Sequence, residues 1–281
     1  MAQLRLERLK LFNLTKRKPA ALPQTKALQA FTLNQKENQT MTMKLLDTNA
    51  SNTKVRKSQK ESGLRIASLS LYPNDTVCPA AILAGCKEPC LVEAGFGAFS
   101  NVRNGRQAKT DFYMNDRQGF LDQLNKEIQN FISLCIRNGE SPAFRLNTIS
   151  DIPWEKYGIP QRYPQAYFLD YTKSAQRLHD LPSNYDMIFS YSQEPKYQKQ
   201  VKRALLTDRP VAVVFRGFVP VGSYFLGREI VDGDLSDIKN QKQRGKIIGL
   251  KLKGNAAKKS KSLFIVEPSQ ASPAPFAIAA E

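Results

Sequence analysis

Short apolar runs rich in Ile, Val, Phe and Tyr recur along the chain at residues 64–71, 143–146, 166–171, 187–190, 211–215, 247–252 and 263–266. Several are apolar almost throughout instead of alternating, which is the pattern of strands covered on both faces in a parallel or barrel sheet. One stretch has a different period. Phe120, Leu121, Leu124, Ile128, Phe131, Ile132, Cys135 and Ile136 fall on one face of a helix that opens after Asn115 and Asp116 and stops at Asn138 and Gly139. A second helix is predicted from Ser100 to about Tyr113. Between Gln161 and Gly217 the elements follow one another too quickly for full crossover helices, so short helices or irregular loops must join some strands. The predicted fold is an α/β domain over residues 44–267, an incomplete or distorted barrel-like sheet with helices outside. A basic extension (1–43) precedes it and a Ser-, Ala- and Pro-rich flexible tail (268–281) follows.

Charge sharpens this division. The 281 residues carry 42 Lys and Arg against 25 Asp and Glu, a net charge of +17. Residues 1–60 hold 13 bases and 3 acids, and residues 242–261 hold 8 bases and no acid. The body between them is nearly neutral. After the opening LRLERLKLF, residues 1–60 are polar with no sustained period, which predicts little order there. They read as a phosphate-binding arm, a transit-like presequence or translated upstream sequence, since Met41 and Met43 precede the first foldable residues. In the second basic segment Lys251 and Lys253 share one face of KIIGLKLKG, either as the solvated row of an edge strand or as a phosphate-binding row. No apolar run approaches the ~20 residues of a membrane helix, and the amino terminus lacks a secretory apolar core. A soluble cytoplasmic protein without a membrane partner is expected; oligomeric state is not legible.

The sharpest chemical feature is CPAAILAGCKEPC, which spaces Cys78, Cys86 and Cys90 by seven and then three residues. Three soft sulfurs in a kinked loop suit zinc or an iron–sulfur cluster and leave one coordination position open. The spacing is neither that of a zinc ribbon nor the three-then-two spacing of radical enzymes that use S-adenosylmethionine. Buried structural thiols are the commoner alternative. Cys135, on the apolar helix face, reads as core. His179 is the only histidine, which removes multi-histidine metal sites, and no GxxxxGK[ST] loop is present.

Arg103, Arg106 and Lys109 follow at spacings of three on the helix from Ser100, just after Gly95-Phe96-Gly97. They suggest a positive helix face for phosphate, or an ordinary solvated one. Polar residues gather at predicted strand ends: Asn147 and Asp151, then Asp170, Tyr171, Thr172 and Lys173, then Ser190 and Ser192. In parallel α/β folds such ends face the site, so Asp151, Asp170 and Lys173 are the candidate catalytic residues. Asp232, Asp234 and Asp237 in VDGDLSD read as a turn in preference to a cation site.

The order of segments over about 44–266 resembles the phage gene-product-88 domain family. The resemblance is carried by KLLDTNASNTKVRKSQ, SLSLYPNDTVCPAAILAGCKEPCL, NVRNGRQAKTDFY, FRLNTISDIPWE, FLDYTKS, LPSNYDMIFSYS, AVVFRGFVP and DGDLSDIKNQKQRGKIIGLKLKG. It implies a mobile-element protein and assigns no activity. The leading expectation is a phage or plasmid accessory protein of DNA replication or metabolism, bound to DNA in preference to RNA through Arg103, Arg106, Lys109, Lys251 and Lys253. The alternatives are an enzyme with a three-cysteine metal or iron–sulfur site at a barrel mouth, and a non-catalytic binding module with a structural cysteine loop.

Overall fold

The computed structural model describes residues 43–49, 53–87, 89–90, 97, 99–254 and 258–273. The extension up to residue 42 and the tail from 274 lie outside the described residues. The strands are β1 (Leu46–Asp47), β2 (Leu64–Leu69), β3 (Ser141–Arg145), β4 (Tyr167–Thr172), β5 (Tyr185–Ser190), β6 (Val211–Phe215), β7 (Tyr224–Phe225), β8 (Arg228–Asp232), β9 (Ile247–Lys251) and β10 (Ile265–Val266). They form one open sheet in the order β1-β2-β3-β4-β5-β6-β9-β8-β7, with β10 added alongside β6. From β2 across to β8 every neighbouring pair is parallel, while β1 and β7 pair antiparallel at the two edges. The sheet does not close: its edge strands β1 and β7 are not paired with each other.

The helices are α1 (Thr53–Ser62), α2 (Ser100–Asn115), α3 (Arg117–Arg137), α4 (Ile159–Arg162), α5 (Gln198–Leu205) and α6 (Asp237–Gln241). The predicted boundaries of α2 and α3 hold to within a few residues. Asp116 caps α3 by accepting from the Gly119 N–H at 2.8 Å, and Gly139 leaves the helix at φ 69°. The apolar stripe of α3 is buried at Phe120, Leu124, Ile128, Phe131, Ile132 and Cys135. Each such side chain contributes roughly 1.5–3 kcal/mol by leaving water.

The strands alternate between two layers. Ala67, Leu69, Phe144, Phe168, Met187, Phe189, Val213 and Phe215 join the main core with α3. The intervening residues Ile66, Ala143 and Leu169 pack on the other face with Val55 of α1 and Ile238 of α6, and Ile188, Ala212 and Ile248 form a neighbouring cluster there. Both faces are therefore covered, which accounts for the near-continuous apolar strands.

Several expectations need correction. Residues 53–60 are not structureless: α1 buries Val55 and Ser58 despite a very polar sequence. Strand β9 is not an edge strand, because it runs between β6 and β8. The tail begins ordered. Pro268–Gln270 form a 3-10 turn with a capping box at Glu267, and Ser272 bridges to Tyr224. Asp232 and Asp234 do form a turn, with the Asp234 N–H donating to Asp232 Oδ1, but Asp237 begins α6 and is buried.

Candidate active site at the open end of the sheet

The carboxyl ends of the parallel strands surround a cavity of about 1020 Å³. Ser68 and Ser70 face it from β2, Arg145 and Asn147 from β3, Tyr171 and Lys173 from β4, Ser190 from β5 and Leu250 to Gly254 from β9. Cys78, Cys86 and Cys90 form part of the same wall. The thiol loop and the polar strand ends thus share one mouth.

The thiol loop is built to stay in place. The Asn74 side chain accepts from the N–H groups of Thr76 and Val77, and the Cys78 N–H donates to the Asn74 carbonyl. The Asp151 N–H donates to the Val77 carbonyl at 2.7 Å, tying the loop to the segment after β3. Gly85 turns the chain at φ 64°, a conformation that favours glycine, and a Cβ there would push on the Glu194 carboxylate at 2.6 Å. The Ser262 hydroxyl donates to the Gly85 carbonyl, fastening the loop from the far end of the chain. Cys78 and Cys86 are buried, and Cys90 is half-buried.

Lys173 reaches these sulfurs. Burial alone lowers its pKa, but Cys86, Cys78, Asp151 and Cys90 outweigh burial and raise it. Burial raises the Cys78 thiol, which the Lys173 ammonium counters by charge and a hydrogen bond. Burial pushes Cys86 up to about 11, again against Lys173. Both thiols are protonated at neutral pH until something takes their protons. Among the described residues, no three His, Cys, Asp or Glu side chains form a group that would hold a metal ion.

Asp151 and Asp170 lie behind the cavity wall. Asp151 pairs with Arg177, which also makes two bonds to Glu155 at 2.8 and 2.9 Å. Its other oxygen accepts from the Lys173 backbone N–H at 2.8 Å. Asp170 accepts from the Asn147 N–H, the Asn147 amide and the Tyr185 hydroxyl. Burial dominates and raises its pKa to about 7. Of the three predicted catalytic residues, only Lys173 touches the cavity; strand alternation turns Asp170 to the opposite face from Tyr171 and Lys173.

The predicted basic row on α2 is split. Arg106 lines the cavity near Cys90, Arg103 lies one turn earlier outside the lining, and Lys109 turns away to donate to the Leu45 carbonyl at 2.7 Å. A spacing of three drifts around the helix, so three such residues do not share one direction. Lys251 and Lys253 both line the mouth. Asp234 holds this corner, accepting from the Lys251 N–H and pairing with the Lys253 ammonium at 2.8 Å. Gly95 and Phe96 lie outside the described residues.

Sequence reasoning missed a buried ionic cluster on the cavity wall. Asp237 pairs with Lys54 of α1 at 2.7 Å and with Arg145 of β3, and it accepts from the Tyr171 hydroxyl at 2.8 Å. Burial opposes its charge, but Arg145 and Lys54 hold the carboxyl down at about 2. Arg145 was legible, since an arginine between Phe144 and Leu146 in an apolar strand needs a buried partner.

Residues 33–267 match the family described as Gene product 88. No curated protein and no solved structure matches the chain. Among the described residues, no helix is long and apolar enough to cross a membrane.

Proposed function

The chain belongs to the Gene product 88 family, a phage-type family, and we propose that it is an enzyme built around an iron–sulfur cluster held by Cys78, Cys86 and Cys90. One observation carries this reading: three sulfurs and the Lys173 ammonium line the same large cavity at the carboxyl ends of a parallel sheet. Soft thiolates suit such a cluster, and three of them leave one iron position for a substrate. When bound, the cluster supplies an iron open to substrate, for electron transfer or Lewis-acid activation. Lys173 offsets the negative charge of three thiolates. Asp151 positions it through the backbone, and Arg106 adds positive charge beside Cys90.

Anaerobic purification with iron and sulfide analysis tests the proposal. The expected protein is brown, absorbs near 400 nm and loses its iron in Cys86→Ser. Colourless protein that takes up no iron on anaerobic reconstitution would overturn it.

The basic mouth favours a second reading, a nucleic-acid-associated accessory protein of a mobile element acting in DNA replication or metabolism. Lys251, Lys253 and Arg106 supply its observation. Metal-free protein that binds DNA with a steep salt dependence supports this reading over the first.

A further inference from the structure

The cavity has a second chemical pole, distinct from the sulfurs. At its wall Lys54 and Arg145 share the single carboxylate of Asp237, and Tyr171 bonds that same carboxylate. Lys54 and Arg145 place two cations at this wall, where water screens poorly. Arg145 is 8 % exposed, and its Nε is buried without a hydrogen-bond partner. Around the whole cavity eight lining side chains are basic and three acidic. Asp234 pairs with Lys253 and Asp75 with Lys87, so these two pairs cancel within the lining. One carboxylate on a ligand would not balance this surplus. A phosphate ester, with up to two negative charges and several acceptor oxygens, offsets more of it than a carboxylate does.

We propose that the cavity binds a nucleotide, with its phosphate at the Lys54–Arg145 pole and the rest of the molecule extending towards the three cysteines and the Lys251–Lys253 rim. The inference rests on the cavity of the proposed enzyme and uses different side chains. The two therefore fail separately. The phosphate comes either from a free nucleotide or from the end of a nucleic-acid strand, and recognition is the same for both.

Titration calorimetry on the full chain with AMP, ATP, inorganic phosphate and a 5′-phosphorylated oligothymidylate, with iron measured on the same samples, tests it. AMP or ATP binding identifies a free nucleotide, and binding of the phosphorylated oligonucleotide alone identifies a strand end. In either case Lys54→Gln, on the outer helix α1, weakens binding by at least about tenfold with iron content unchanged. Arg145→Lys, which keeps the charge and removes the guanidinium, weakens it in the same direction. Cys86→Ser leaves phosphate-dependent binding in place. No binding of any phosphate probe to wild-type protein overturns the proposal. So does binding that survives Lys54→Gln and is lost only with Lys251→Gln and Lys253→Gln.

Discussion

The Lys173 backbone N–H donates to Asp151 Oδ2 at 2.8 Å, while the Asp151 N–H holds the Val77 carbonyl at 2.7 Å. One aspartate thus fixes both the strand end that carries the ammonium and the loop that carries the thiols. Removing the ammonium while keeping this backbone frame isolates its electrostatic part. In Lys173→Met the thiols lose their nearest cation, and their ionisation moves to higher pH than in wild type, where Cys86 already sits at about 11. Thiolate absorbance, or the pH dependence of alkylation, measures the shift. Identical profiles in the two proteins would detach Lys173 from the sulfurs.

Cys135 separates ligand loss from core damage. It is fully buried on the apolar face of α3. Cys135→Ser is expected to cost about 1–3 kcal/mol by denaturant unfolding, because a hydroxyl replaces a small apolar group, and to leave iron binding intact. Cys86→Ser is expected to abolish iron binding. Equal iron loss in both would make Cys135 a ligand.

Asp170 predicts a pH dependence of stability. Its folded pKa of about 7 exceeds the ordinary carboxyl value, so the native state holds a proton that the unfolded state releases. The contribution of this group is fully present below about pH 4 and is lost as pH rises to about 7, by an amount on the order of 4 kcal/mol. Asp170→Asn should flatten this part of the stability profile in urea titrations at a series of pH values. An unchanged slope between pH 4 and 7 would contradict the assignment.

Asp237 acts in the opposite sense. Its carboxyl is held at about 2, so its contribution is present above the usual carboxyl range and is lost as pH falls through about 2. Asp237→Asn leaves Lys54 and Arg145 buried without their anion and should destabilise the fold by about 3–5 kcal/mol at neutral pH. A change in unfolding free energy below 1 kcal/mol would show the cluster to be hydrated.

How much of this was legible depends on the kind of pattern each part left. The stripe from Phe120 to Ile136 and the seven apolar runs are periodic, and they located α3 and the main strands. Helix α1 left no such trace, because its buried side is only Val55, Ser58 and the stem of Lys54, held by tertiary contacts to Asp237. The cavity was placed correctly from strand ends, yet Asp170 and Lys173 were grouped where a period of two separates them. Applied to FLDYTKS, that rule puts Tyr171 and Lys173 together and Asp170 behind. The pairing of Lys54 and Arg145 with Asp237 spans 183 and 92 residues of chain, a distance no local pattern records.

The bond from Ser262 to Gly85 bridges 177 positions of chain. On the ribosome the thiol-bearing segment therefore emerges long before this latch, and until then only nearer ties such as the Asp151–Val77 bond can hold it. A polypeptide released before Ser262 would carry the sulfurs without this clasp.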